Sequence, residues 1–199
     1  MRRILWTALA MTIVMTVLTG LAYPLVITGV AQVLFHHQAD GSLVANSQGQ
    51  VVGSSLIAQP FTDANGNPLP QWFQPRPSAA GSGYNAMDSG ASQLGPTNPT
   101  LRSTVSAAMS AYRTENHLAP NTPVPVDAVT SSGSGLDPEI SIANARLQAP
   151  RVAAARGIPL ETVDTLINQA TVGRVLDIMG ESGVNVLELN LALEKLGSR

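Results

Sequence analysis

Cysteine is absent from all 199 residues, so a disulfide scaffold, a CxxC redox pair and a thiolate zinc site are excluded. Lysine occurs once, at Lys195, and no Gly-Lys pair exists. A P-loop, GxxxxGK followed by Ser or Thr, needs that lysine to reach the β- and γ-phosphates and is therefore ruled out. Neither GxSxG nor HExxH occurs, and beyond His36 and His37 the sole histidine is His117, on which any Ser-His-acid triad would depend. Aromatic residues make up only 4% of the chain and charged residues 12%. The charge is also uneven: none between Arg3 and Asp40, then thirteen acids against nine bases beyond position 39, a net of −4 with histidine neutral. Such a balance argues against a nucleic-acid partner.

The uncharged stretch is occupied by an apolar run, Ile4 to Phe35, behind Met1-Arg2-Arg3. A bilayer core of about 30 Å needs about 20 helical residues, so this run is long enough to span, with a possible bend at Pro24. A cleaved signal peptide is the alternative, since Gly20-Leu21-Ala22 has the small-x-small form of a cleavage site. The run continues well past that point, however, beyond the usual signal core of about 7 to 15 residues. Residues 1–39 are expected to form a cytoplasmic tip and one transmembrane helix in contact with lipid. Arg2 and Arg3 place the N-terminus in the cytoplasm and residues 40–199 outside it. Ala8, Thr12, Thr16, Gly20, Pro24 and Thr28 recur every four residues, a ridge of small or backbone-perturbing residues suited to close helix packing.

Residues 40–199 have the pattern of one extracytoplasmic α+β domain. Short alternating runs up to about Asn67 suggest strands, with Asn65-Gly66-Asn67 as a turn. Residues 68–101 form a long loop rich in Pro, Gly, Ser and Asn; it holds Trp72, Phe73 and Tyr84, which either grip a partner or plug the domain's own core. A helix is expected from Thr100 to His117, with Leu101, Val105, Met109 and Tyr112 on one stripe. Pro123 to Val129 suggests a short strand. The C-terminal part, 138–197, is expected to be helical: Pro138 to about Arg156 with an interruption near Pro150, Pro159 to about Met179, and Val186 to Leu196 with Asn185 as N-cap and Glu188 as its capping partner.

The stretch TSSGSGLDPEIS, Thr130 to Ser141, has the glycines of a phosphate cradle. Asp137 and Glu139 would repel a phosphate there. Asp137 as N-cap with Pro138 in the first turn suggests a structural loop and helix start, with a partner-binding loop as the alternative.

VTSSGSGLDPEIS followed by ARLQAPRVAAARGI, together with WFQPRPSAAGSGYN and GESGVNVLELNLAL, resembles the KdpC family, the C subunit of an ATP-driven potassium importer. The likeness covers nearly the whole chain. Its signature positions fall on Arg76, Pro77, Ser78, Tyr84, Asn85, Ser131, Gly133, Ser134, Gly135, Leu136, Asp137, Pro138, Gln148, Arg151, Val152, Asn185 and Asn190. Departures lie at Ser89 to Gln93, at Glu139, and at Ser182-Gly183 after Glu181. The resemblance implies a non-catalytic, single-pass subunit of the bacterial inner membrane. Its implied partners are a channel-like subunit that selects potassium, a P-type ATPase subunit and a very small single-span subunit. ATP and potassium would be handled by the complex, with no cofactor of this chain's own. The family is also proposed to act as a catalytic chaperone that raises ATP affinity, with Gln148 as nucleotide contact. The outward topology puts ATP across the membrane from Gln148, which favours assembly and coupling instead. A stand-alone, membrane-anchored envelope enzyme or binding protein is the competing expectation.

Overall fold

The computed structural model describes every residue except 175, 177, 198 and 199. It has two compact units, Met1–Leu43 and Val44–Arg199.

The first unit is almost entirely helical. Arg2–Leu34 is apolar and long enough to cross a membrane, 33 residues with mean hydropathy 2.0; at about 1.5 Å per residue it reaches about 50 Å, well beyond the hydrocarbon core. It consists of α1 (Arg2–Val17), a π turn (Leu18–Ala22) and α2 (Tyr23–Leu34). Pro24 explains the π turn, because it offers no N–H to the carbonyl one turn back and its ring crowds that carbonyl. The backbone widens just before it, where the N–H of Tyr23 bonds to the carbonyl of Leu18. In a regular helix a series at every fourth residue drifts by about 40° per step. A π turn winds less per residue, which brings Thr16, Gly20 and Pro24 closer into line. Past α2, the short α3 (His36–Ala39) carries a polar clasp: Gln32 Nε2 donates to Asp40 Oδ1 at 3.0 Å, and His36 bridges Gln32 and Asp40. The clasp closes off the apolar run.

The second unit is α+β. Strands β1 (Leu43–Ala45) and β2 (Val51–Ser54) form a two-stranded sheet. The turn expected at Asn65-Gly66-Asn67 is present, with Asp63 Oδ1 accepting from the N–H groups of Asn65 and Asn67 at 2.8 Å each. Helix α4 (Pro99–Glu115) is capped by Asn98 and buries Tyr112 against Ala128 and Val129, with Val105 and Met109 of the expected stripe beside it. The second sheet has the antiparallel order β3 (Glu139–Ser141), β5 (Gly183–Asn185), β4 (Thr171–Val172). Helices α5 (Ile142–Arg156), α6 (Leu160–Gln169) and α7 (Val186–Gly197) pack with this sheet around the main core. Ala145, Ala149 and Ala153, spaced four apart on α5, keep that face narrow, and α6 packs closely on α5.

Four expectations are corrected. Asp137 does not begin a helix: Ile140, 2% exposed, pairs with Val184 across the sheet and holds the backbone extended. Ser141 caps α5 instead, its Oγ accepting from the N–H of Asn144 at 3.1 Å. Pro150 does not interrupt α5, because it sits on the exposed face where the carbonyl it leaves unpaired can meet water. Val126–Ala128 is a 3₁₀ turn rather than a strand, since Pro123 and Pro125 offer no N–H to a ladder. The helix expected from Pro159 to Met179 stops at Gln169 and gives way to β4; residues 175 and 177 of that span lie outside the described residues. By contrast, α7 begins as expected, with the N–H of Glu188 donating to Asn185 Oδ1 at 3.1 Å.

Candidate functional site: an amide clamp and its cleft

Residues 70–74 form no helix or strand, yet their five consecutive carbonyls are all paired by side chains. Buried backbone acceptors need partners, and an irregular segment cannot supply its own. Here α5 and α7 supply them. Arg151 Nη1 donates to the carbonyls of Pro70 at 2.7 Å and Trp72 at 3.0 Å, and Arg156 Nε to that of Gln71 at 2.7 Å. Asn190 Nδ2 donates to the carbonyl of Phe73 at 3.0 Å, while its Oδ1 accepts from the Phe73 N–H at 2.9 Å. Gln148 grips the next residue in the same way: Nε2 donates to the Gln74 carbonyl at 3.1 Å and Oε1 accepts from the Gln74 N–H at 2.8 Å. Two amide side chains thus stand in for a neighbouring strand.

The rest of the network holds the clamp in position. Gln148 also donates to Asn144 Oδ1 at 3.0 Å and accepts from Arg151 Nη2 at 2.9 Å, which uses both its donors and both acceptor positions. Asn144 accepts from Tyr112 Oη at 2.7 Å and donates to Asp127 at 2.9 Å, and Asp127 takes both the N–H and the hydroxyl of Ser141. Arg151 completes its set on Asn116 Oδ1 at 2.9 Å and lies 3.4 Å from Glu115 Oε1. That last contact is ionic without being a hydrogen bond, and Glu115 Oε1 is buried with no donor. Burial pushes the Glu115 carboxyl above its usual range and outweighs the opposing pull of Arg151.

A second cluster docks residues 76–90 on the Thr130–Ser141 stretch. Arg76 Nη1 donates to Asp137 Oδ2 at 2.9 Å, and Asp137 Oδ1 accepts from the N–H of Glu139, an Asx turn that uses the cap signal without a helix. Ser78 Oγ donates to the Gly135 carbonyl at 2.6 Å and accepts from the N–H groups of Ala80 and Tyr84. Tyr84 Oη donates to the Arg76 carbonyl at 2.7 Å, and burial pushes the phenol up to about 12, so it remains a donor at neutral pH.

Helix α5, helix α4 and the loop border an open cleft of about 260 Å³, lined by Pro60, Pro75, Tyr84, Ala111, Glu115 and Gln148 among others. Gln148 forms part of its wall with no bonding capacity to spare. Gln148→Ala should lower the stability of the isolated chain by about 2 kcal/mol, water from the open cleft limiting the loss. The corresponding fall in thermal midpoint is about 4–8 °C without any nucleotide. A residue serving only as a nucleotide contact would leave that midpoint unchanged.

The remaining positions divide by exposure. Phe73 is 0% exposed in the main core, and Trp72 packs against it beneath the Arg156 guanidinium, 4.1 Å from the ring centre. These rings plug the domain's own core. Gly135, Gln148, Arg151 and Asn185 are buried; Arg76, Ser78, Tyr84, Ser131 and Asp137 are half-buried; Asn85, Gly133 and Ser134 are exposed. Ala8, Thr12, Thr16, Gly20, Pro24 and Thr28 are all exposed along the first unit's helix, and Thr12 Oγ1 returns a bond to the Ala8 carbonyl at 2.9 Å. Sequence reasoning missed Gln74, Glu115, Asn116, Asp127 and Asn144. The available signal for Asn144 was its spacing of four from Gln148, which places both on one helix face.

A family model described as KdpC, K+-transporting ATPase, c chain, matches residues 5–195. The Potassium-transporting ATPase KdpC subunit of Mycobacterium tuberculosis (strain ATCC 25618 / H37Rv) is 54% identical over 196 residues, covering 98% of this chain and 100% of that protein. Proteins of the same name from Caulobacter vibrioides (strain NA1000 / CB15N) and Caulobacter sp. (strain K31) are each 52% identical over 179 residues, covering 90% of this chain and 86% and 87% of theirs.

Proposed function

The chain belongs to the KdpC family of K+-transporting ATPase c chains, and from that premise we propose that it is the single-span accessory subunit of an ATP-driven potassium importer. The observation that carries this is the full-length match, since anchor and second unit are both covered. Its work is assembly and coupling. The Arg2–Leu34 helix, with its ridge from Ala8 to Thr28, packs against the channel-like, potassium-selecting subunit, alongside a P-type ATPase subunit and a very small single-span protein. Arg2 and Arg3 hold the N-terminus in the cytoplasm of a bacterial inner membrane, and the second unit lies on the extracytoplasmic side over the channel's outer vestibule.

Any effect on the ATPase subunit's affinity for ATP is transmitted through the complex rather than by nucleotide held at Gln148. Supporting this, Gln148 is 1% exposed and its amide is fully engaged by protein partners. An alkaline phosphatase fused after Arg199 should be active; activity of a reporter that works only in the cytoplasm would overturn the orientation. Gly20→Leu should reduce recovery of this chain with the detergent-purified complex severalfold while its own melting is unchanged. Wild-type stoichiometry in that variant would remove the ridge from the assembly surface.

A further inference from the structure

A backbone carbonyl inside an apolar span is costly unless it has a donor, because hydrocarbon supplies none. Such a carbonyl lies near the middle of Arg2–Leu34, at Thr19. Its regular donor would be the N–H four residues on, or five residues on in a π turn. The first belongs to Tyr23, which gives it to Leu18; the second would belong to Pro24, which has no N–H. Gly20 loses its regular donor to the same proline. The approach to both carbonyls is open, since nothing lies within 4 Å of the Gly20 Cβ position. A donor is also free beside them. Thr7, Thr12 and Thr19 return their hydroxyls to the carbonyls of Arg3, Ala8 and Met15, whereas Thr16 and Thr28, also among the described residues, do not. Thr16 stands three residues before Thr19, on the same helix face. The π turn therefore offers a neighbour one acceptor without a donor and one hydroxyl free to donate, and lipid chains can satisfy neither.

We propose, on the basis of the assembly reading above, that the π turn is the polar contact of this span with a neighbouring transmembrane helix, whose Asn or Gln side chain donates its amide N–H to the Thr19 carbonyl and accepts from the Thr16 hydroxyl. One uncharged amide can do both, as Asn190 and Gln148 do for the backbone of Phe73 and Gln74. A lysine or arginine in that place would bring a charge that nothing in the span offsets. The missing side chain of Gly20 lets the two backbones come close enough for the bond.

The test measures how tightly the full chain is retained in the detergent-purified complex on dilution. Thr16→Val keeps the shape and removes the hydroxyl, and should weaken retention about threefold to tenfold. Thr12→Val makes the same change on the same ridge, where the hydroxyl is already bonded to Ala8, and should leave retention unchanged. Pro24→Ala returns an N–H to the helix, so the freed chain should melt no lower than the parent, yet its retention should also fall about threefold to tenfold. A direct readout comes from carbonyl-labelled threonine combined with nitrogen-labelled glycine, because Thr19-Gly20 and Thr28-Gly29 are the two Thr-Gly pairs in the sequence. When the labelled chain assembles with unlabelled partner subunits, the Thr19 carbonyl resonance should move toward that of Thr28, which sits within α2. An unmoved Thr19 resonance, or parent-like retention of Thr16→Val and Pro24→Ala while Gly20→Leu loosens the chain, overturns the polar contact and leaves a ridge that packs by shape alone. Parent-like retention of all three variants, Gly20→Leu included, removes the ridge itself from the assembly surface and the polar contact with it.

Discussion

Gly135→Ala should lower the thermal midpoint of the full chain by about 6–12 °C, corresponding to about 3 kcal/mol. A methyl group at this position would sit 2.6 Å from the carbonyl oxygen of Gly90 and 2.7 Å from the amide nitrogen of Ala80. Both are backbone atoms and cannot swing aside as the end of a long side chain could. The residue also has φ +67°, where a Cβ is costly in itself. Relief requires separating residues 78–90 from Ser134 and Gly135, which breaks the bonds from the Gly90 N–H and Ser89 Oγ to the Ser134 carbonyl and from Ser78 to the Gly135 carbonyl. Gly133, two residues earlier, supplies the control: nothing lies within 4 Å of its Cβ position, and its φ is outside the left-handed region. Gly133→Ala should therefore stay within about 0.5 kcal/mol of the parent. Equal losses at both positions would mean that the docking of these two segments is not what makes Gly135 special.

The larger effect is expected at Arg151. Its side chain is 3% exposed, and the neighbours that depend on it are the carbonyls of Pro70 and Trp72, the amides of Asn116 and Gln148, and the Glu115 carboxylate. Arg151→Met strands all of these in a low-dielectric site and should cost about 3–5 kcal/mol. Arg151→Lys should recover little, because one compact ammonium cannot reach Asn116 and the loop carbonyls together. The Arg151→Met loss should also depend on pH. Burial already raises the Glu115 pKa, and the positive charge of Arg151 pulls the other way. Without it the folded state holds the proton more tightly still. A carboxyl with a raised folded pKa lowers stability as pH increases above its unfolded value of about 4.3, so the variant's deficit should be greater at about pH 7 than at about pH 5. Adding Glu115→Gln to Arg151→Met should restore part of the loss at pH 7. Thermal melts of the single and double variants at the two pH values check this, and a deficit that does not change with pH would show that the lost hydrogen bonds account for the whole effect.

The long apolar helix was legible in the sequence because hydropathy is summed along the chain and needs no knowledge of partners. The start of α7 was legible for a similar reason, since Asn185 and Glu188 lie within one turn of each other. The start of α5 was not, because Asp137-Pro138 has the local form of a helix cap while the pairing of Ile140 with Val184 is a tertiary fact that overrides it. The clamp was half legible. Gln148, Arg151 and Asn190 stood out through the family likeness, but their targets at 70–74 have no periodicity that would mark them as bonded. Trp72 and Phe73 illustrate the same limit: composition alone could not say whether two rings in a proline-rich loop face outward or inward.

The five side-chain-bonded carbonyls from Pro70 to Gln74 have one more consequence. Segments without regular structure usually open by themselves, in small fluctuations that cost little. This one cannot, because releasing it withdraws Phe73 from the core and strips the partners of Gln148, Arg151, Arg156 and Asn190 at once. Its slowest local opening is therefore tied to the unfolding of α5 and α7, and a stretch with the composition of a linker behaves kinetically as part of the core.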